Sequence, residues 1–410
     1  MTVKLSDIEA AREILEGIIL PTPTLADGKL SRLIGASAHL KAECLQKGGS
    51  FKVRGAYNKI HRLSDKDKGR GVIAASAGNH AQGVALAAQL HNIKAIIVLP
   101  EFAPLTKITA TKNYGAEVIL YGATFDEAMI RSKDLQQRHG YTHVHAFDDE
   151  EIIAGQGTIG LEIARDVPQA TVLVVPIGGG GLISGIAIAA KTLLPNVRVI
   201  GVQSEMVAPV NQSLKAGKPV AVEVGQTIAD GIAVKHPGEI TLPIIRELID
   251  EVVEVSEEEI ADAIFFAVQN NRLVVEGAGA AGLAALLAGK IRLEKDDEVC
   301  TVLCGGNIDP NLLARVLEQV LVRRGRYVIL KLLVIDRPGS LARLLDHVAE
   351  TRANVIEVFH RRAMWLAPLG RVGIEMLLEV RDPQHGREVY RHLEKSGFHV
   401  EREGVGDWEE

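Results

Sequence analysis

Up to about residue 325 the chain alternates two kinds of segment, and that alternation confines it to a small set of folds. Short β-branched runs, Val72-Ile73-Ala74, Ala95-Ile96-Ile97-Val98-Leu99, Val118-Ile119-Leu120, Val172-Leu173-Val174-Val175 and Val197-Arg198-Val199-Ile200-Gly201-Val202, read as buried strands. Between them lie Ala-rich stretches of helical length, such as His80 to Leu90 and Ser184 to Leu194. The pattern predicts an α/β architecture with parallel sheets and helices on both faces, whose ligand loops stand at the carboxyl ends of the strands. Helix-like Glu257 to Asn270 and Ala/Gly-rich Gly277 to Gly289 then lead to one more strand, Glu298 to Leu303.

After Val322-Arg323-Arg324-Gly325 the pattern changes. Strand, helix, strand, strand, helix and strand follow at Tyr327 to Ile335, Leu341 to Thr351, Val355 to His360, Val372 to Val380, Gln384 to Lys395 and Phe398 to Glu401. This βαββαβ order is that of a small split βαβ sandwich. It is expected to be a separate domain, 326–402, with no nucleophile of its own, behind a chemical region of two α/β subdomains, 1–322.

Composition narrows the function. With 47% hydrophobic and 24% charged residues the chain is an ordinary soluble type, and a net charge of -6 without a basic block argues against nucleic acid. Cys44, Cys300 and Cys304 form no disulfide framework and no CxxC pair, which fits a reducing cytoplasm. Lys4, Asp7 and Glu9 leave no apolar core for a signal peptide. The uncharged run Val172 to Ala190 contains Pro176 and four consecutive glycines, so it reads as strand, loop and helix start, not as a membrane span.

Five stretches carry possible chemistry. In Gly49-Ser50-Phe51-Lys52-Val53-Arg54-Gly55, Lys52 lies in an apolar neighbourhood just before Arg54. Burial beside apolar groups or another cation lowers a lysine's pKa toward a usable amine, as Schiff-base chemistry requires. A snorkelling surface lysine is the plain alternative. Ser76-Ala77-Gly78-Asn79-His80 follows a strand and opens a helix, a place that suits a carboxylate, with a simple N-cap and a packed His80 as the alternative. Gly178-Gly179-Gly180-Gly181-Leu182 joins a strand to a helix and can wrap a phosphate. It lacks the spacing of a dinucleotide fingerprint and the ending of a P-loop, so a monophosphate is the better ligand, with a purely structural glycine turn as the alternative. Cys304-Gly305-Gly306-Asn307 ends a strand, which puts Cys304 at the ligand edge unless it is a small buried hydrophobe. Glu276-Gly277-Ala278-Gly279 begins an Ala-rich helix, with Glu276 as a first-turn acid or a pocket group.

As an ordered set these pieces resemble the threonine dehydratases, pyridoxal-phosphate enzymes of the tryptophan-synthase-β fold type. Ser50 to Ala56, Ser76 to Gly83, Pro100 with Ala103-Pro104 and Lys107, Ala154-Gly155-Gln156-Gly157-Thr158, the tetraglycine loop and Gly305-Gly306-Asn307 occur in the family's order over roughly residues 5–320. The tail resembles an ACT domain, the small amino-acid-binding regulatory module, with Asp336 to Leu341 as its ligand turn. The resemblance implies a pyridoxal-phosphate fold type II core. In it Lys52 carries the cofactor and acts as general base. Asn79 meets the cofactor's phenolic oxygen, Gly178, Gly179, Gly180, Gly181 and Leu182 hold its phosphate, and Cys304 faces its pyridine nitrogen. Ser76, Gly78 and His80 surround the substrate carboxylate.

The implied reaction is loss of water and ammonia from L-threonine to give 2-oxobutanoate, with serine as a slower substrate and isoleucine or valine as candidate effectors. A homo-oligomer is expected. Three departures stand out. Gly48-Gly49 replaces the family's usual Thr-Gly, Ala77 stands where serine racemases carry a second serine, and Gln203 and Pro209 occupy positions where racemases hold a divalent metal. No metal is therefore assigned. The rivals are a serine racemase, a β-replacement enzyme, and a non-catalytic amino-acid sensor.

Overall fold

The computed structural model describes residues 2–103, 105–361 and 368–403. It divides into two compact units, Met1–Asp309 and Pro310–Glu410. The break falls before the helix Pro310–Arg323, whereas the sequence pattern changes after it.

The first unit contains two sheets. The larger runs Thr24–Ala26, Ser37–Lys41, Glu298–Val302, Val172–Pro176, Arg198–Ser204, Glu251–Val255, and the smaller Glu117–Leu120, Ala95–Leu99, Val72–Ala75, Thr142–His143. The smaller sheet is parallel throughout. The larger is mixed, which corrects the expectation of parallel sheets only: Thr24–Ala26 pairs antiparallel with Ser37–Lys41 at the edge. An edge strand needs no crossover helix to cover it, so it is free to run the other way. The inner strands Val72–Ala75, Ala95–Leu99 and Val172–Pro176 are buried along their whole length, as their unbroken apolar runs require.

The helix expected from Glu257 to Asn270 is α-helical only over Glu257–Phe266 and then widens into a π-turn, Ala267–Asn271. Asn270 donates to the Phe266 carbonyl there, and Asn271 donates to Asp27 at 2.7 Å. Long-range side-chain partners of this kind are invisible to periodicity.

Three helices fix the site's floor: Lys52–His61, Glu150–Asp166 and Gly181–Leu193. They approach backbone to backbone. A Cβ on Gly155 would stand 2.6 Å from the Gly55 Cα, and one on Gly185 would stand 2.6 Å from the Gly157 nitrogen. Separations this short exclude any side chain, so the Gly155-Gln156-Gly157 motif is an instrument of helix packing. Through it the helix that begins at Lys52 is locked to the helix that follows the tetraglycine loop. No described helix is long and apolar enough to cross a membrane.

The second unit has an antiparallel four-stranded sheet in the order Asn354–Arg361, Arg371–Glu379, Tyr327–Ile335, His399–Glu403. Helices Ser340–Glu350 and Pro383–Lys395 each join two strands that have another strand between them, and Leu344, Val348, Val389 and Leu393 pack with Leu330, Ile374 and Met376 in its core.

Candidate active site

Lys52 is the first residue of its helix and follows an extended Ser50 that bridges to Gly305. The Phe51 N–H donates to the Cys304 carbonyl and the Gly306 N–H to the Gly49 carbonyl, which fastens the lysine segment to the end of the strand Glu298–Val302. Lys52 is half-buried, and its ammonium donates to the Ala146 carbonyl at 2.9 Å. Burial lowers its pKa to about 8, against the opposing influence of Cys304 and Glu276. Arg54 is not the neighbour responsible. Its buried guanidinium turns into a separate cluster with Glu43 at 2.7 Å and Glu162 at 2.6 Å.

The tetraglycine loop shows why it consists of glycine and what it leaves free. A Cβ on Gly179 or Gly181 would strike Phe147, and one on Gly180, at φ 100°, would strike Thr241. Packing therefore demands these glycines, as the structural alternative supposed. The same loop leaves the N–H groups of Gly178 through Ile183 without an acceptor among the described residues, although Gly179 to Ile183 are buried. Buried N–H groups are nearly always paired. A run of unpaired donors at a helix N-terminus is a cradle for an anion, and it fits the phosphate of a pyridoxal cofactor.

A second free helix start faces the other sheet. Gly78 precedes the helix Asn79–Leu90, and no side chain caps it. Ser76 accepts from the Gly78 N–H at 3.2 Å instead, and the N–H groups of Asn79, His80 and Ala81 have no acceptor among the described residues. The His80 ring is buried and bonded to the Val144 carbonyl at 2.8 Å, and burial lowers its pKa to about 3. It is a neutral, packed imidazole, so what His80 presents to the cleft is its backbone N–H.

Cys304 is 3% exposed, and its thiol lies 3.5 Å from the Ala278 carbonyl. Burial, then Glu276, raises its pKa well above the ordinary value, so it stays a neutral thiol. Lys52 and Cys304 lie close enough to influence each other's ionisation, as do Lys52 and Glu276.

Two residues without an assigned role join them. Asn79 donates its amide to Glu276 and accepts from Asn307 at 2.8 Å; Asn307 also donates to the Gly48 carbonyl at 2.8 Å. Its amide is thus set by two neighbours. A Cβ on Gly49 would lie 2.2 Å from the Asn307 Oδ1, which accounts for the second glycine of the pair before Lys52. Glu276 is buried, and burial followed by the Asp230 charge pushes its pKa up to about 7. The Gly305-Gly306-Asn307 motif was the available signal for Asn307, while nothing local distinguishes a pocket acid from a first-turn acid at Glu276. Pro104 of the 100–107 motif lies outside the described residues. Lys107 pairs with Asp230.

The arrangement unites an amine of lowered pKa, an anion cradle, a free helix N-terminus and a neutral thiol. The sequence matches the profile of the family described as pyridoxal-phosphate dependent enzyme over residues 15–305. It is 50% identical to an L-threonine ammonia-lyase of Thermotoga maritima over 398 residues, 97% of this chain and 99% of the relative. Among solved structures it resembles the processed form of threonine deaminase isoform 2 from Solanum lycopersicum, with a TM-score of 0.73 and 40% identity, covering 77% of this chain and 91% of that one. It also resembles a maize serine racemase, with a TM-score of 0.74 and 34% identity, covering 78% and 98%.

Proposed function

Because this chain belongs to the pyridoxal-phosphate dependent enzymes, we propose a role for each residue of the site in one reaction, the deaminating dehydration of L-threonine to 2-oxobutanoate and ammonia. The observation that carries this reading is the cradle of unpaired N–H groups packed on Phe147, whose neighbour Ala146 accepts from the half-buried Lys52 amine. When bound, the cofactor supplies an electron sink for the substrate's Cα–H and Cβ–O bonds.

Lys52 is the attachment point and, once displaced, the base that takes the Cα proton onto Nζ. A pKa brought down to about 8 by burial keeps a useful share of neutral amine near neutrality. Gly178 to Leu182 hold the phosphate, and Asn79, fixed between Glu276 and Asn307, meets the phenolic oxygen. Ser76, Gly78 and the backbone of His80 take the substrate carboxylate at the uncapped helix start. Cys304, a neutral thiol, would face the pyridine nitrogen and offer it no carboxylate.

A racemase of this fold needs an acid/base group on the face opposite the lysine, and Ala77 supplies none. The test is to incubate the purified protein with L-threonine, without added nucleophile, and assay keto acid and ammonia. Release of both is expected, with L-serine slower by about 1–3 kcal/mol of barrier. Lys52→Ala should lose turnover and the visible cofactor band together. Native-rate ammonia release by that variant would remove Lys52 from the reaction.

The second unit we read as an ACT-like regulatory domain binding an effector amino acid, isoleucine or valine. The supporting features are its βαββαβ order and the turn Asp336 to Leu341, where Gly339 at φ 86° opens the helix Ser340–Glu350. The reading includes a homo-oligomer and a cytoplasmic location, the latter supported by three buried cysteines that remain free. Titrating isoleucine and valine against threonine deamination should change the rate of the native chain. Gly339→Val, strained at positive φ, should abolish the response and spare the basal rate. An undiminished response would move the effector site elsewhere.

A further inference from the structure

We propose that His347, Glu350 and His392 form a binding site for a divalent transition-metal ion in the C-terminal unit. All three belong to the unit Pro310–Glu410, whereas the active-site residues belong to Met1–Asp309. His347 and Glu350, three residues apart, share one face of the helix Ser340–Glu350, and His392 comes from the neighbouring helix Pro383–Lys395. The Glu350 Oε2 lies 3.2 Å from the His347 Nδ1 and 2.8 Å from the His392 Nε2, and the three donor atoms all lie within 4.8 Å of one another. Ligand atoms around a tetrahedral ion with bonds of about 2.0–2.1 Å are spaced by about 3.3 Å. The observed separations of 3.2 and 2.8 Å lie close to that spacing.

Two further features favour a cation here. His347 and Glu350 occupy the last turn of the helix Ser340–Glu350, whose negative end favours a cation. The His347 ring is also braced, edge-on against Phe398 with centroids 5.6 Å apart, and the two imidazoles stand 5.6 Å apart at 55°. Among the described residues this is the group of three or more such side chains whose donor atoms converge in this way.

The donor set defines the ligand. Two imidazoles and one carboxylate select borderline ions such as Zn²⁺, Co²⁺ or Ni²⁺ over Mg²⁺ and Ca²⁺, which require a shell of oxygens. Three protein donors leave the remaining position to water, and the ion would tie the two helices together.

Without a metal, the same geometry is a surface ion pair in which Glu350 accepts from both rings. Metal binding separates the two. The full-length protein with its cofactor in place is freed of metal by a chelator and titrated with Zn²⁺ alone, and with Co²⁺ alone while its visible absorption is followed. One equivalent should bind at micromolar concentrations, with a Co²⁺ spectrum of tetrahedral or five-coordinate type. His392→Ala and Glu350→Gln should each weaken binding by roughly 10- to 100-fold or more, while circular dichroism shows the fold intact. These side chains are partly exposed, so the fold does not depend on them. The proposal is overturned if the native protein takes up no equivalent, or if the triple variant His347→Ala, Glu350→Gln, His392→Ala binds as tightly and in the same amount.

Discussion

Lys52 and Arg54 stand two residues apart in the first turn of one helix, both withdrawn from water, and they are treated in opposite ways. Arg54 is fully buried, yet Glu43 and Glu162 each take two of its hydrogen bonds, Thr158 takes one, and Lys41 balances Glu162 at 2.6 Å. Burial opposes its charge, but the two carboxylates outweigh burial and raise its pKa. Lys52 has one neutral carbonyl, and burial prevails. The contrast shows what separates a structural cation from a chemical one. A buried charge whose partners are complete is held in one protonation state, and one whose partners are incomplete becomes a proton carrier.

Substitution in the cofactor-free protein tests that contrast. Arg54→Met should have the largest effect, a loss of about 3–5 kcal/mol in a urea melt, because it leaves Glu43 buried without its cation and Glu162 with Lys41 alone. Lys52→Met in the same melt should leave stability unchanged or raise it, since it removes an unpaired amine. If the two variants lose equal stability, the distinction fails.

A smaller, pH-dependent effect belongs to Glu276. Its folded pKa of about 7 lies above the unfolded value of 4.5, so its favourable contribution is complete below the unfolded pKa and is lost as pH rises through 7. Glu276→Gln does not titrate, so its stability relative to the native protein should be greater at pH 8 than at pH 4.5. The difference should be on the order of 3 kcal/mol, and paired melts at the two pH values measure it. A difference independent of pH would mean that Glu276 is as well compensated as Arg54.

The sequence discloses the parts of this molecule that depend on neighbouring residues and conceals those that depend on distant ones. The inner strands were readable because an unbroken apolar run of strand length has few other uses, and the tetraglycine loop because it lies directly between such a strand and a helix. The partners of Arg54 were not readable, since Glu162 lies 108 residues away, and neither was the clasp from Asn79 to Glu276, 197 residues apart. For the same reason Lys52 was given Arg54 as a neighbouring cation. Adjacency along the chain suggested it, and the helical turn then carried the two side chains into different surroundings. The His347, Glu350 and His392 cluster needs a helix face and a second helix, so only its first pair has a local signature.

The cradle at Gly178 to Ile183 has a consequence for how much of this protein a cell can maintain. Donors that meet no acceptor among the described residues penalise the ligand-free folded state, and a ligand that binds only the folded form restores that loss by mass action. A ligand at a hundred times its dissociation constant adds about 2.7 kcal/mol to folding stability. The vitamin-derived cofactor is thus a folding partner as well as a reagent, and a shortage of it would shorten the lifetime of the polypeptide along with stopping its chemistry.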